Sequence, residues 1–260
     1  MAEETGPQAV QSVLRTFHLL DIVTRERKIG ISELSRKAGL KKTTVARLVD
    51  TLAKAGVLEQ DPQDRRYSLT IRLFEMGSRA LENFDILRQS RPLIEEFVGR
   101  CGKSVLVSVL DHNEVVYVDK VEARELFRIM TSVGGRAPGH CSASGKVMFA
   151  FLPPERLGQI LGDKPLQRCT GKTLTDYRSL LQDLAEIRRI GYSVDRGERY
   201  VDLCSVAAPL FDSANRVVAA VSVPRIAATI NDAGLAELGR EVALLARKIS
   251  CRLGWTGEHD

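Results

Sequence analysis

Aromatic side chains are scarce in this chain. Phe, Trp and Tyr make up 5% of 260 residues, with a single Trp, too few for an extended platform on which single-stranded bases stack. No apolar run reaches the roughly 18 residues that a membrane span needs, so no membrane partner is expected. Met1–Gln8 is acidic and has no apolar segment; no secretory signal is expected there, and the chain reads as cytoplasmic. Cysteines are few and far apart: Cys101, Cys141, Cys169, Cys204 and Cys251, the nearest two separated by 28 positions. With no C-x-x-C pair, neither a zinc ribbon nor a redox dithiol motif is encoded, and reduced thiols are expected. The histidines, His18, His112, His140 and His259, are scattered, so no metal centre is expected.

Enzyme motifs are also missing. Gly102-Lys103-Ser104 and Gly171-Lys172-Thr173 resemble the end of a phosphate-binding loop, but Phe97 and Leu166 stand where its first glycine belongs. Gly145-Lys146 is followed by Val147, which offers Mg²⁺ no hydroxyl. No Gly-x-Ser-x-Gly elbow surrounds any serine. His112-Asn113-Glu114 mimics one half of a zinc deaminase signature whose cysteine half is absent. A hydrolase using Cys141 or Cys204 would need a paired histidine. No catalytic residue and no cofactor is expected.

What remains is ordinary globular composition, 44% hydrophobic and 27% charged, at a length that suggests two domains. The charge is unevenly placed. Arg27–Arg66 holds ten Lys/Arg against five Asp/Glu, a net +5, while the rest holds 28 of each sign. A basic module joined to a neutral body suggests a polyanionic partner for the first part; a solvated charged surface is the plainer alternative.

Apolar spacing predicts helices over Val10–Val23, Ile31–Ala38 and Thr43–Ala55. Ser32 is expected to cap the second, Gly39 to break it and Gly56 to stop the third. Two short strands, Val57–Glu59 and Arg66–Leu69, flank a turn-rich tip. Leu73–Leu87 reads as one further helix, and the texture changes after Arg91-Pro92. Beyond it, strands are expected at Ser104–Leu110, Glu114–Val121, Leu126–Thr131, Ser193–Arg196, Ser205–Phe211 and Val217–Val223. Helices are expected at Ser142–Leu152, Pro154–Leu161, Asp176–Ile190 and Asn231–Leu253. Without regular βαβ alternation this is an α+β fold.

The segment Ile31–Asp50 has the layout of a helix-turn-helix: small Ser35 where two helices touch, Gly39 at the turn, and Leu34, Ala38, Leu40, Val45 and Leu48 to lock them. The third helix then presents Lys42, Thr43, Thr44 and Arg47 at its N-terminal end, where a recognition helix meets base edges. Arg47 suits guanine, Thr43 and Thr44 a phosphate or thymine methyl, and Lys41 and Lys42 phosphates. Arg65 and Arg66 at the hairpin tip make it the winged variant. Ser32 completes the candidate DNA contacts. The rival reading is a ligand sensor whose helix-turn-helix mediates only protein association.

The chain resembles the IclR family of bacterial transcriptional regulators over nearly its whole length. The resemblance rests on Ile31-Ser-Glu-Leu-Ser35, Gly39-Leu-Lys-Lys-Thr-Thr-Val-Ala-Arg-Leu48, Gly56 and Tyr67-Ser-Leu69. It continues with Pro138-Gly-His-Cys-Ser-Ala-Ser-Gly-Lys146, Leu184–Asp195 (ending Gly191-Tyr-Ser-Val-Asp195), Glu198, Val206-Ala-Ala-Pro209 and Ala219-Ala-Val-Ser-Val223. It implies a winged helix-turn-helix at 8–72, a linker helix at 73–90 and a GAF-like α/β effector-binding domain at 91–258. It further implies homodimers or tetramers on double-stranded operator DNA and a small carboxylic or aromatic acid as effector. Candidate effector residues are His140, Ser142, Ser144, Gly145, Lys146, Asp195, Glu198, Ser205 and Ser222. The start of the helix at Ser142 offers free N–H groups to an anion; a helix capped by its own serine accounts for the same residues. Likewise, His140 suits a structural hydrogen bond, and Asp195, Glu198, Ser205 and Ser222 suit satisfied polar burial. The chain departs from the family's usual residues at Gly139, Ser142, Asp202, Ser205 and Pro224-Arg225-Ile226, with Asp202 and Arg225 expected to add charge near the pocket mouth.

Overall fold

A computed structural model describes residues 9–82, 85–124, 131–162 and 165–257. The chain divides into two compact units at Asn83–Phe84.

The first unit is built from α1 (Gln11–Glu26), α2 (Ile31–Ala38), α3 (Lys42–Lys54), the hairpin β1 (Leu58–Gln60) and β2 (Tyr67–Leu69), and α4 (Arg72–Glu82). Its core is a small apolar cluster in which Leu19 and Val23 of α1, Leu34 of α2, and Val45, Val49 and Leu52 of α3 meet Ile29 and Leu58. These are the inward positions of the 3.6-residue period. Gly39 ends α2 in the left-handed region at φ 64°, where a side chain would be strained. Ser35 fastens the turn in both directions: its carbonyl accepts from Leu40 N, and its hydroxyl donates to Leu40 O at 2.6 Å. Gly56 at φ 73° follows α3. Ser32 does not cap α2. The capping position is Gly30 and has no side-chain bond, while Ser32 is exposed inside the first turn. Ile29 pairs with Tyr67 as an added rung on the hairpin.

The helix expected over Leu73–Leu87 divides between α4 and α5 (Asp85–Cys101), with residues 83–84 outside the described segments. Arg91-Pro92 marks no boundary, because α5 runs through it. Pro92 removes a bond to the Arg88 carbonyl, but both residues lie on the solvent side, where water can take its place.

The second unit is a six-stranded antiparallel sheet in the order β5-β4-β3-β8-β7-β6. The strands are β3 (Val105–Asp111), β4 (Glu114–Val121), β5 (Arg136–Pro138), β6 (Ser193–Asp195), β7 (Leu203–Phe211) and β8 (Val217–Ile226). β5 was not expected; most of the expected strand Leu126–Thr131 lies outside the described residues, and Thr131 is in no strand. Helices cover both faces, and the period of two decides which residues meet which helices. Val105, Val107, Val206, Ala208, Val221 and Val223 pack with α5 and α9 (Asp232–Arg252). Leu106, Ala207 and Ala220 face α6 (Ala143–Ala150), α7 (Pro154–Leu161) and α8 (Tyr177–Ile190). The capping signals are obeyed here: Asp176 accepts from Ser179 N, Asn231 accepts from Gly234 N, and Gly191 ends α8 in the left-handed region.

Candidate functional sites

In the first unit, α3 begins at Lys42, one residue before the expected start, and Lys41 precedes it with no side-chain cap. Lys41, Lys42, Thr43 and Arg47 are exposed, and Thr44 is half-buried. Ion pairing sorts the ten basic residues of Arg27–Arg66. Lys28 pairs with Asp61 and Asp64, Lys37 with Glu26 and Glu33, and Lys54 with Asp50. No such pair is found for the other seven, which include Lys41, Lys42, Arg47, Arg65 and Arg66, among the described residues.

The hairpin tip has a built shape. Asp61 accepts from the backbone N–H groups of Gln63 and Asp64, and Asp64 accepts from Arg66 N. Lys28 reaches both carboxylates, at 2.5 and 3.0 Å. Its hydrogen bonds hold Asp61 below the usual carboxylate range; Asp64 is held low first by the Arg66 N–H and then by Lys28. Arg65, at φ 60°, and Arg66 are left exposed.

In the second unit, a cavity of about 50 Å³ lies between the sheet and the start of α6. Ser142, Ser144, Asp195, Ser205 and Ser222 line it, together with Leu106, Tyr117 and Arg199. Register explains the gathering. Ser205 stands opposite Asp195, and Ser222 opposite Ala207 and Leu106, so both hydroxyl-bearing residues belong to the α6 face. Five residues of the cavity wall (Tyr117, Thr131, Arg199, Tyr200 and Leu203) also line an open groove of about 690 Å³ that includes Asp202. Arg225 does not line either space.

Asp195 is both wall and scaffold. One carboxylate oxygen accepts from Gly197 N at 3.0 Å and Glu198 N at 2.7 Å, and burial pushes its pKa up against those bonds. Arg199 donates to the Arg136 carbonyl at 2.7 Å and lies 4.9 Å from the centre of the Tyr200 ring.

Four of the expected effector residues stand behind this wall instead of in it. Lys146 is 1% exposed; its ammonium donates to Glu198 Oε1 at 2.6 Å and Val194 O at 3.0 Å, and pairs with Asp183 at 2.9 Å. Burial works against its charge, yet the two carboxylates outweigh it and hold the ammonium protonated. Gly145 is needed for a close approach: a Cβ there would lie 2.3 Å from Gly139 Cα. His140 Nε2 meets the Gln167 carbonyl at 2.9 Å, and burial lowers its pKa. Ser142 lines the cavity but also caps α6, accepting from Gly145 N at 3.2 Å. The helix start is therefore self-capped, and the open anion site expected there is partly closed.

Sequence reasoning missed Arg199 and Tyr117. Arg199 adjoins Glu198 in the same irregular stretch, and its charge was the available signal. Tyr117 alternates with Val115 on β4 and reads as plain core. The fold also brings together two free cysteines that are far apart in sequence: the sulfur atoms of Cys141 and Cys169 are 3.7 Å apart.

A winged helix-turn-helix followed by a two-sided α/β domain with an internal polar cavity is the architecture of a sensor-type regulator. Comparison with known proteins gives the family. The profile for the IclR helix-turn-helix domain matches residues 12–62, and that for the bacterial transcriptional regulator IclR C-terminal domain matches residues 78–251. The chain belongs to the IclR family of bacterial transcriptional regulators. It is 33% identical over 254 residues to the HTH-type transcriptional regulator KdgR of Escherichia coli, covering 98% of this chain and 95% of that one. The crystal structure of the Thermotoga maritima IclR superposes with a TM-score of 0.78 at 28% identity, covering 94% and 99% of the two chains. An IclR homologue from Microbacterium hydrocarbonoxydans, solved in complex with 4-hydroxybenzoate, gives 0.79 at 27% identity, over 93% and 100%. No described helix is long and apolar enough to cross a membrane.

Proposed function

We propose that this protein binds operator DNA through α3 and the hairpin tip, and that a small organic acid in the second unit modulates that binding. The observation that carries the reading is the sorting of charge on the first unit. Lysines that could confuse the surface are tied to carboxylates, while Lys41, Lys42, Arg47, Arg65 and Arg66 are left to polyanion. Arg47 reads a guanine edge, Thr43 and Thr44 lie against the backbone or a thymine methyl, and Lys41 and Lys42 neutralise phosphates beside the positive end of α3. Ser32, exposed in α2, is a further phosphate contact.

The effector spans the inner cavity and the groove outside it. The inner space alone has room for little more than one water molecule. Arg199 takes the acid group, and the hydroxyls of Ser144, Ser205 and Ser222 with Asp195 take its polar substituents. His140, Gly145, Lys146 and Glu198 serve this site as its support. Self-association comes from the start of α1, where Val13, Leu14 and Phe17, with Val10 just before the helix, are 50–64% exposed. A homodimer would set two recognition helices on half-sites about one helical turn, or a multiple, apart.

Titrating the full chain against its own upstream DNA at several salt concentrations tests the first part: affinity should fall steeply with salt. Affinity that ignores salt, or no affinity, removes the DNA reading and leaves protein association. A thermal-shift screen of hydroxylated and aromatic carboxylic acids tests the second, with Arg199→Met expected to abolish the shift of any hit.

A further inference from the structure

Cys141 and Cys169 bring two thiols into contact across a fold that keeps them apart in sequence. Cys141 ends the short 3₁₀ turn Gly139–Cys141 that leads into α6 and is fully buried. Cys169 is exposed, on the connection between α7 and α8. Their sulfur atoms are 3.7 Å apart, about 1.7 Å beyond a bonded pair. The connection is anchored on both sides of Cys169. Thr173 Oγ1 accepts from Cys169 N and Thr170 N and donates to Glu198 O, while Thr170 Oγ1 donates to Gly197 O. His140 meets the Gln167 carbonyl two residues before it. The contact therefore belongs to a fixed part of the unit.

We infer that Cys141 and Cys169 form an oxidant-responsive modification site, at which a peroxide converts the pair to an intramolecular disulfide. The order of events follows from access. The exposed Cys169 thiol reacts first with a hydroperoxide, giving a sulfenic acid and the corresponding alcohol or water. The Cys141 sulfur then attacks the Cys169 sulfur, and the departing hydroxide takes the Cys141 proton and leaves as water. Two thiols have lost two hydrogens, and the peroxide has been reduced. Burial pushes the Cys141 thiol up, so it stays protonated until that second step and is a slow resolving partner. The bond would staple the 3₁₀ turn, and with it Ser142 in the cavity wall, to the connection whose Thr170 and Thr173 hydroxyls hold the Gly197 and Glu198 carbonyls.

The test is covalent and independent of DNA binding. The full chain is treated with hydrogen peroxide, the remaining thiols are alkylated, and non-reducing peptide mapping by mass spectrometry follows. The expected result is a Cys141–Cys169 peptide pair two hydrogens lighter than the separate peptides, restored by dithiothreitol and lost in Cys169→Ser. In Cys141→Ser, dimedone should trap a sulfenic acid on Cys169. The inference is overturned if Cys169 pairs with another cysteine or another chain. It is equally overturned if Cys141 of peroxide-treated protein remains alkylatable after unfolding while Cys169 is oxidised.

Discussion

Replacing Lys146 by Met tests the support of the cavity most directly. The side chains are similar in volume, so the change removes a charge without opening a large void. What it leaves behind is Glu198, 6% exposed, whose second oxygen has no hydrogen-bond partner. Asp183 is 34% exposed and can turn to water; Glu198 cannot. Breaking a buried pair by removing one partner costs about 3–5 kcal/mol, which for a unit of this size lowers the melting temperature by about 6–20 °C. The penalty should depend on pH. In the parent, burial raises the Glu198 carboxyl above its ordinary 4.5 against the pull of Lys146; removing Lys146 raises it further, so the folded variant binds a proton that the unfolded chain does not. Stability of the variant relative to the parent then rises as pH falls, by up to about 2.7 kcal/mol between pH 7 and pH 5. Adding Glu198→Gln should recover much of the loss at pH 7 and remove the pH dependence. Circular dichroism melts of the three proteins at both pH values provide the measurement. A single-variant loss below about 1 kcal/mol, or one indifferent to pH, would refute the assignment of Lys146 as the counter-charge of a buried carboxylate.

Other expectations follow from the same geometry. Arg47→Ala should cost about 1–3 kcal/mol of operator affinity while leaving random-sequence DNA much less affected; fluorescence anisotropy with both DNAs separates the two, and an unchanged preference removes Arg47 from the reading set. Arg65→Ala should reduce the salt slope of binding by about one unit if the hairpin tip contacts one phosphate, read from titrations at several salt concentrations. Gly145→Ala, whose new methyl meets the Gly139 backbone, should destabilise by about 1–3 kcal/mol or more, whereas Gly158→Ala, inside α7 with open space around it, should stabilise by about 0.5–1 kcal/mol; urea melts compare them.

Much of the first unit was legible in the sequence because its determinants are local. Gly39 and Gly56 mark turns that need positive φ, and Leu34, Val45 and Val49 repeat with the helical period. The strands that gather Asp195, Ser205 and Ser222 were found by alternation, although their register was not. What failed has a shared physical cause. Lys146 reads as an effector contact until its partner is known, and Glu198 lies 52 positions away. Gly145 reads as part of a helix start whose N–H groups await an anion, yet its role is set by Gly139, a contact made only once the 3₁₀ turn has formed. Ser32 looks like a cap because it is a serine near a helix start, but α2 starts at Ile31 as expected, so the capping position is Gly30 and Ser32 falls inside the first turn. Pro92 signals a break by composition, and solvent exposure of the carbonyl it orphans makes it tolerable.

The clamp at the hairpin tip makes the first unit mechanically single. Lys28 leaves the end of α1 and grips Asp61 and Asp64, while the neighbouring Ile29 is stitched to Tyr67. The hairpin is thereby geared to the helix whose apolar stripe we assign to pairing of two copies. Any rotation imposed on α1 at such a joint would swing Arg65 and Arg66 by the same angle. Signal and grip on the double helix would then travel on one lever, without any need for the recognition helix to deform.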